Sequence, residues 1–230
     1  MIEKTGFAIA IDGPVGVGKS TTARMVAQKL GFTYIDTGAM YRAVALYNIE
    51  HGIDLTNNKA IEQSITEINI TLRHADGAQC VYLNDKDVTD AIRTQEISEG
   101  ASVVASNEKI REKLVTQQKQ MADAGKIVMD GRDIGSKVLP WAQIKIYLDA
   151  DQSIRAKRRM KELEAKGQPS DYETILQETK VRDHRDKTRP ASPLVQTPDA
   201  IYIDTGEMVP KEVAEKIIEY VNEVAKCSTK

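Results

Sequence analysis

The sequence predicts an α/β fold in which a five-stranded parallel sheet is covered by helices on both faces. Three observations carry that reading. Five short apolar runs, residues 7–11, 33–35, 127–129, 144–148 and 201–203, are continuous rather than alternating, as strands buried on both faces are. Helical patterns separate most of them, the order expected of parallel βαβ units. Directly after the first run stands Gly13-Pro14-Val15-Gly16-Val17-Gly18-Lys19-Ser20, a full G-x-x-x-x-G-K-[ST] match in the strand–loop–helix setting that gives the motif meaning.

Taken in chain order, each element has its own signal. The glycines of the loop let backbone N–H groups turn inward around an anion. Lys19 can then reach the β- and γ-phosphates, and the Ser20 hydroxyl can ligate Mg²⁺. A nucleoside triphosphate held by Gly13, Pro14, Val15, Gly16, Val17, Gly18, Lys19, Ser20 and Thr21 is therefore expected. In the helix that follows, Ala23, Val26, Ala27 and Leu30 recur at i, i+3, i+4 and i+7, and Gly31 is the stop. The 33–35 run enters Asp36-Thr37-Gly38-Ala39-Met40-Tyr41-Arg42, where a new helix begins. Helix N-termini favour anions, so this reads either as an acceptor-phosphate site or as an ordinary helix entry with a surface arginine.

From about residue 62 to 89 the pattern changes. Residues 68–73 alternate with period two, Asp76-Gly77 marks a turn, residues 78–83 return, Asn84-Asp85-Lys86 turns again, and Asp87-Val88 begins a third short strand. This is an antiparallel meander inserted into a parallel fold. Beyond it, the 127–129 run closes at Asp130, the position of a Walker-B-type aspartate that could hold Mg²⁺ directly or through water. Arg132 and Asp133 follow, either facing a ligand beyond the strand end or forming a local ion pair. Asp12, Asp36, Asp149 and Asp204 close the other runs, and ligands of open α/β sheets sit beyond such ends.

Two basic helical segments occupy the last third. Arg155, Arg158 and Arg159 share one face, as do Arg182, Arg185, Asp186 and Arg189; Gly167-Gln168-Pro169-Ser170-Asp171 separates them and Pro190 ends the second. An arginine stripe is ordinarily a solvated helix face. Beside a phosphate loop it reads as a lid, because forked guanidiniums suit the charge that spreads over a transferring phosphoryl group.

Composition narrows the function further. With 230 residues there is room for one substantial core with insertions. A net charge of −2 gives no general pull toward nucleic acid or an anionic membrane. Cys80 and Cys227 lie far apart without a C-x-x-C, so neither a zinc site nor a disulfide framework is indicated. The start, Met1-Ile2-Glu3-Lys4, lacks a signal-peptide core and no run approaches a membrane span, so a cytoplasmic protein is expected. Asn57-Asn58-Lys59-Ala60 and Thr179-Lys180-Val181-Arg182 both lack the aspartate of a guanine-reading N-K-x-D, which argues against a switch GTPase. His51, His74 and His184 show no metal-ligand spacing.

Together, residues 12–21, 36–42, Ile92-Arg93-Thr94-Gln95-Glu96, Asp130-Gly131-Arg132-Asp133 and Arg182-Asp183-His184-Arg185-Asp186 resemble, in the same order, the motifs of bacterial cytidylate kinases, and the resemblance spans essentially the whole chain. It implies a P-loop kinase core formed by residues 1–61, 101–150 and 191–230, a nucleoside-monophosphate-binding insert at 62–100 and a lid at 151–190. It also implies transfer of a phosphoryl group from ATP, with Mg²⁺, to CMP or dCMP. By the same resemblance Thr37, Arg42, Arg132 and Arg189 would hold the CMP phosphate, and Ser102, Arg111 and Asp133 would read cytosine. Arg182 and Asp186 would contact the sugar, and Arg158 and Arg159 would close over the ATP phosphates. Lys19, Arg132, Arg158, Arg159 and Arg189 would carry the catalysis.

Thr37 stands where the family often has serine, which keeps the hydroxyl, and Val15 and Val17 replace smaller loop residues. The rivals are another small P-loop kinase with a different monophosphate or metabolite as acceptor, and a module that binds ATP without transferring it. With no sustained apolar interface stripe, the expected state is a monomer whose partners are small molecules, not nucleic acid or membrane.

Overall fold

The computed structural model of the chain describes residues 6–75, 78–165 and 167–227. Its elements run β1 (Ala8–Asp12), α1 (Lys19–Leu30), β2 (Thr33–Asp36), α2 (Thr37–Glu50), α3 (Asn58–Ser64), β3 (Ile70–Ala75), β4 (Ala78–Leu83) and β5 (Lys86–Asp87). There follow α4 (Gln95–Val104), α5 (Glu108–Met121), β6 (Ile127–Gly131), β7 (Ile144–Asp149), α6 (Gln152–Ala165), α7 (Tyr172–Thr188), β8 (Ile201–Asp204) and α8 (Pro210–Cys227). Five strands form one sheet in the order β2-β6-β1-β7-β8, with β1 parallel to β6 and β7, and β7 parallel to β8. The expected parallel sheet is therefore present, and each of its strands extends one or two residues past the apolar run to include the closing aspartate.

The chain divides into two compact units, one of Met1–Tyr34 with Ala122–Lys230 and one of Ile35–Met121. In the first, Ile9, Ile11, Val128, Ile146 and Leu148 turn one sheet face toward Ala23, Val26 and Ala27 of α1 and toward Val213, Ala214 and Ile217 of α8. Because side chains alternate along a strand, Asp12 and Lys145 project from the opposite face, where a helical turn at Ile134–Val138 lies. Helices α6 and α7 pack through a small apolar cluster of Ala156, Leu163 and Ile175. Asp171 caps α7 by accepting from the Thr174 N–H at 2.8 Å, a cap of the kind that stabilises a helix by about 1 kcal/mol.

The second unit has its own core, in which α2 contributes Met40, Val44 and Tyr47, α4 contributes Ile97, Ala101 and Val104, and the meander contributes Ile70, Val81 and Leu83. The three-stranded sheet runs β3-β4-β5, antiparallel throughout. The third strand begins one residue earlier than expected. Asn84 and Asp85 alone form the turn, with φ of 47° and 66°, and a two-residue hairpin with both central residues left-handed matches the strand twist. The Asp76-Gly77 turn lies outside the described residues, as does the Cys227 side chain; Cys80 is a free thiol.

Candidate active site

The phosphate loop is positioned by β1 and α1. Gly13 runs so close to β7 that a Cβ there would lie 2.1 Å from the Leu148 carbonyl oxygen, so the chain can leave β1 along this path only as glycine. At the far end Gly18 occupies the N-cap of α1 with φ of 88°. A glycine offers no side chain to cap the helix, so the first amides of α1 remain for an anion. Lys19 is buried, and its ammonium donates to the Pro14 carbonyl at 2.6 Å. Burial and the Arg132 guanidinium push it well below its ordinary pKa; Asp130 and Asp186 pull it up, and Arg182 pushes it down again. A cluster that crowds cations in this way is poised to gain from an arriving polyanion. Val17 is buried, while Gly16 and Thr21 are exposed.

Beyond the loop lies Asp130 at the end of β6. The Ser20 hydroxyl donates to its Oδ2 at 2.9 Å and the Tyr34 hydroxyl to its Oδ1 at 2.8 Å. A hydroxyl and a carboxylate side by side offer oxygen ligands that suit a divalent cation such as Mg²⁺. That ion binds through one or two protein oxygens and takes its other ligands from water and phosphate.

Asp186 of α7 is the hub of the neighbouring cation cluster. Its Oδ2 accepts from Arg132 Nε at 2.8 Å, and its Oδ1 lies 3.7 Å from Arg189 Nη1. Burial raises the Asp186 pKa, but Arg132, Arg182 and Arg189 outweigh burial and hold it below the usual carboxylate range. Arg189 also reaches Asp133 at 3.9 Å and donates to the Ser192 carbonyl at 2.8 Å. Lys19, Ser20, Asp130, Arg132, Asp133, Arg182, Asp186 and Arg189 thus belong to one compact unit, and hydrogen bonds, ion pairs or electrostatic contacts link most of them.

Arg158 and Arg159, which the resemblance assigns to a lid over the donor phosphates, are bonded to protein partners. One partner of Arg158 is Thr205, whose hydroxyl donates to the Val17 carbonyl of the phosphate loop at 3.2 Å. Arg158 donates to the carbonyls of Thr205 at 2.5 Å and Gly206 at 3.1 Å. Arg159 pairs with Glu162 on its own helix at 3.3 Å. Three further residues are engaged with the site. Tyr34 orients Asp130. Asp12 accepts from the Ile134 and Gly135 amides at 2.8 and 2.7 Å, fixing the segment that follows Arg132 and Asp133. Arg155 binds the Val15 carbonyl at 2.9 Å. Asp12 was legible as a strand-end aspartate and Arg155 as a member of the arginine stripe read as a lid; Tyr34 carries no sequence signal.

The Ile35–Met121 unit holds the remaining candidates. Asp36 caps α2 through the Ala39 N–H at 3.1 Å and pairs with Arg42 at 2.7 Å. Burial raises the Asp36 pKa, yet Arg42 and the backbone donors bring it below the ordinary value. Thr37 is buried in the first turn of α2, and Ser102 is buried on α4. Arg111 is buried, donates to the Ala105 carbonyl at 3.0 Å, and lies 5.2 Å from the centre of the Tyr41 ring, within cation–π range.

With this geometry in place the chain can be compared with known proteins. The family model described as cytidylate kinase matches residues 9–223. The chain belongs to the cytidylate kinase family. It is 47% identical over 220 residues to a cytidylate kinase of Bacillus licheniformis, covering 95% of this chain and 97% of the relative. It is 45% identical over 217 residues to that of Bacillus subtilis, covering 94% and 97%. Among solved structures, a gluconokinase of Sinorhizobium meliloti 1021 superposes with a TM-score of 0.51 at 12% identity, covering 97% of this chain and 95% of that one, a likeness of fold alone. Family membership makes the chain a nucleotide kinase, an enzyme that transfers a phosphoryl group to a nucleoside monophosphate. No helix among the described residues is long and apolar enough to cross a membrane.

Proposed function

We propose that this enzyme transfers the γ-phosphoryl group of MgATP to CMP or dCMP, giving ADP and CDP or dCDP. The observation that carries the reading is the cluster of Lys19, Arg132, Arg182 and Arg189 around the buried Asp186, beside a complete phosphate loop. Such a cluster suits an acceptor that already bears phosphate. The second pKa of a phosphate monoester is about 6, so the attacking oxygen is ionised near neutrality and needs no general base. Catalysis then rests on alignment and on cationic stabilisation of the transferring group. Ser20 and Asp130 would hold Mg²⁺, which would supply partial neutralisation of the donor phosphates.

The amides of Gly13–Thr21 and the Lys19 ammonium would bind the donor phosphates. Thr37, Arg42, Arg132 and Arg189 would bind the acceptor phosphate, and Arg182 and Asp186 the sugar hydroxyls. Asp133 would accept from the cytosine amine while Arg111 and Ser102 bond the ring's other polar atoms. Uracil would oppose an acceptor to Asp133, and buried unmatched polar groups cost about 1–3 kcal/mol each. UMP is accordingly a poor substrate. Residues 62–100 would serve the acceptor and residues 151–190 the lid. Arg159, whose exposed pair with Glu162 is weak, can turn to the donor phosphates at little cost; Arg158 must first give up the Thr205 and Gly206 carbonyls. The same reading makes the protein a cytoplasmic monomer.

The test is an ADP-release assay across CMP, dCMP, UMP, AMP and GMP, with wild type and Asp133→Ala. Turnover confined to CMP and dCMP, with the CMP/UMP ratio of kcat/KM reduced in the variant, is expected. Preference for another monophosphate, or ATP binding without transfer to any, overturns the proposal.

A further inference from the structure

Arg155 is an enclosed arginine outside the cluster described above, with its side chain 3% exposed. It stands in the first turn of α6, and its guanidinium makes four bonds in three directions. Nε donates to the Ala150 carbonyl at 2.8 Å. Nη1 donates to the Val15 carbonyl at 2.9 Å and to Asp183 Oδ1 at 3.1 Å. Nη2 donates to Asp183 Oδ2 at 2.5 Å, and that oxygen also accepts from Gln152 Nε2 at 3.0 Å. The forked pairing with Asp183 is bidentate, the arrangement that fixes a guanidinium plane most firmly. The stem of the same side chain supports the loop from beneath: a Cβ on Gly16 would lie 3.2 Å from the Arg155 Cβ.

We propose that Arg155 is a positioning residue for the donor site, holding the crown of the phosphate loop at Val15–Gly16 in the shape that turns its amides toward phosphate, with Asp183 fixing the guanidinium. A peptide unit whose carbonyl is bound on one side presents the following N–H on the other, because the two groups of a planar trans peptide point in opposite directions. Binding the Val15 carbonyl therefore aims the Gly16 N–H away from Arg155. Gly16 has φ of 79°, a conformation that glycine enters freely and leaves as freely, so an external tether is what keeps it there. Fastening α6 to α7 would not by itself require Arg155, since Ala156, Leu163 and Ile175 already pack the two helices together. Lysine at this position could hold one carbonyl or Asp183, but not all three partners at once.

The inference rests on the reading that this loop binds the donor nucleotide, and its test does not need the acceptor to be known. Binding of MgADP and of CMP to the full chain is measured by calorimetry for wild type, Arg155→Lys, Arg155→Met and Asp183→Asn, with thermal melting recorded beside each. Expected is at least a tenfold loss of MgADP affinity in both Arg155 variants. A smaller loss is expected in Asp183→Asn, which keeps the Val15 and Ala150 contacts, with CMP affinity within about threefold of wild type in the Arg155 variants. If Arg155→Met does not fold, Arg155→Lys decides. Unchanged MgADP affinity, or equal weakening of MgADP and CMP tracking the melting temperature, overturns the proposal and leaves Arg155 as a fastening of two helices. Failure of wild type to act on CMP would sink the substrate reading alone, because MgADP binding is scored separately.

Discussion

Replacing Asp12 with asparagine tests how the end of β1 holds the segment bearing Arg132 and Asp133. The Asp12 carboxyl is buried, and burial pushes its pKa from the usual 3.8 up to about 7; the Gly135 and Ile134 amides lower it, Asp133 raises it and Lys19 lowers it. For a carboxyl whose folded pKa is raised, the stability contribution is full below the unfolded pKa and is lost as pH rises through the folded one. Between pH 5.5 and 8 the unfolded chain carries this group ionised throughout, while the folded chain goes from mostly protonated to ionised. Linkage over that interval amounts to about 2 kcal/mol of lost stability, or roughly 4–8 °C in Tm for a chain of this size.

Asparagine cannot ionise, so the Asp12→Asn variant lacks this component. It still offers one oxygen to the two amides and leaves the other N–H without its acceptor, at about 1–3 kcal/mol. Against that stands relief of a charge whose burial costs about 4 kcal/mol at high pH, at 1.36 kcal/mol per pKa unit. At pH 8 the variant should melt no lower than wild type, and the gap between the two should move by about 2 kcal/mol against the variant on going to pH 5.5. Urea unfolding at both pH values is the assay. Parallel pH dependences in the two proteins would show that Asp12 is not the group that titrates.

Two further substitutions probe the same frame. Gly13→Ala places a methyl group 2.1 Å from the Leu148 carbonyl oxygen, a backbone atom with little room to give way, and should cost about 4 kcal/mol or more; a urea midpoint equal to wild type would contradict the packing of the loop on β7. Tyr34→Phe removes the 2.8 Å donor to Asp130 and should raise the Mg²⁺ concentration for half-maximal activity by about tenfold, as loss of outer-shell support for a metal ligand does. An unaltered Mg²⁺ titration would mean that Asp130 is oriented without it.

Much of the architecture was legible in residue order, because local rules decide it. A continuous apolar run can only be a doubly covered strand or a buried helix, and its length together with the closing aspartate chose strand. Left-handed backbone at positions 16 and 18 calls for glycine locally, so the phosphate loop announces itself. The hairpin at Asn84-Asp85 was read one residue too long, since Lys86 can serve as turn or strand until pairing with Leu83 is known. What the tertiary structure alone decided is which charge meets which. Arg155, Arg158 and Arg159 share one stripe of one helix, yet one binds the phosphate loop, one a pair of carbonyls in a distant segment, and one its own helix. Helical periodicity puts side chains on a common face; it says nothing of the carboxylates and carbonyls that later elements bring to that face. The contacts of Asp12 with residues 122 and 123 positions away likewise exist only once β1 and β6 lie side by side.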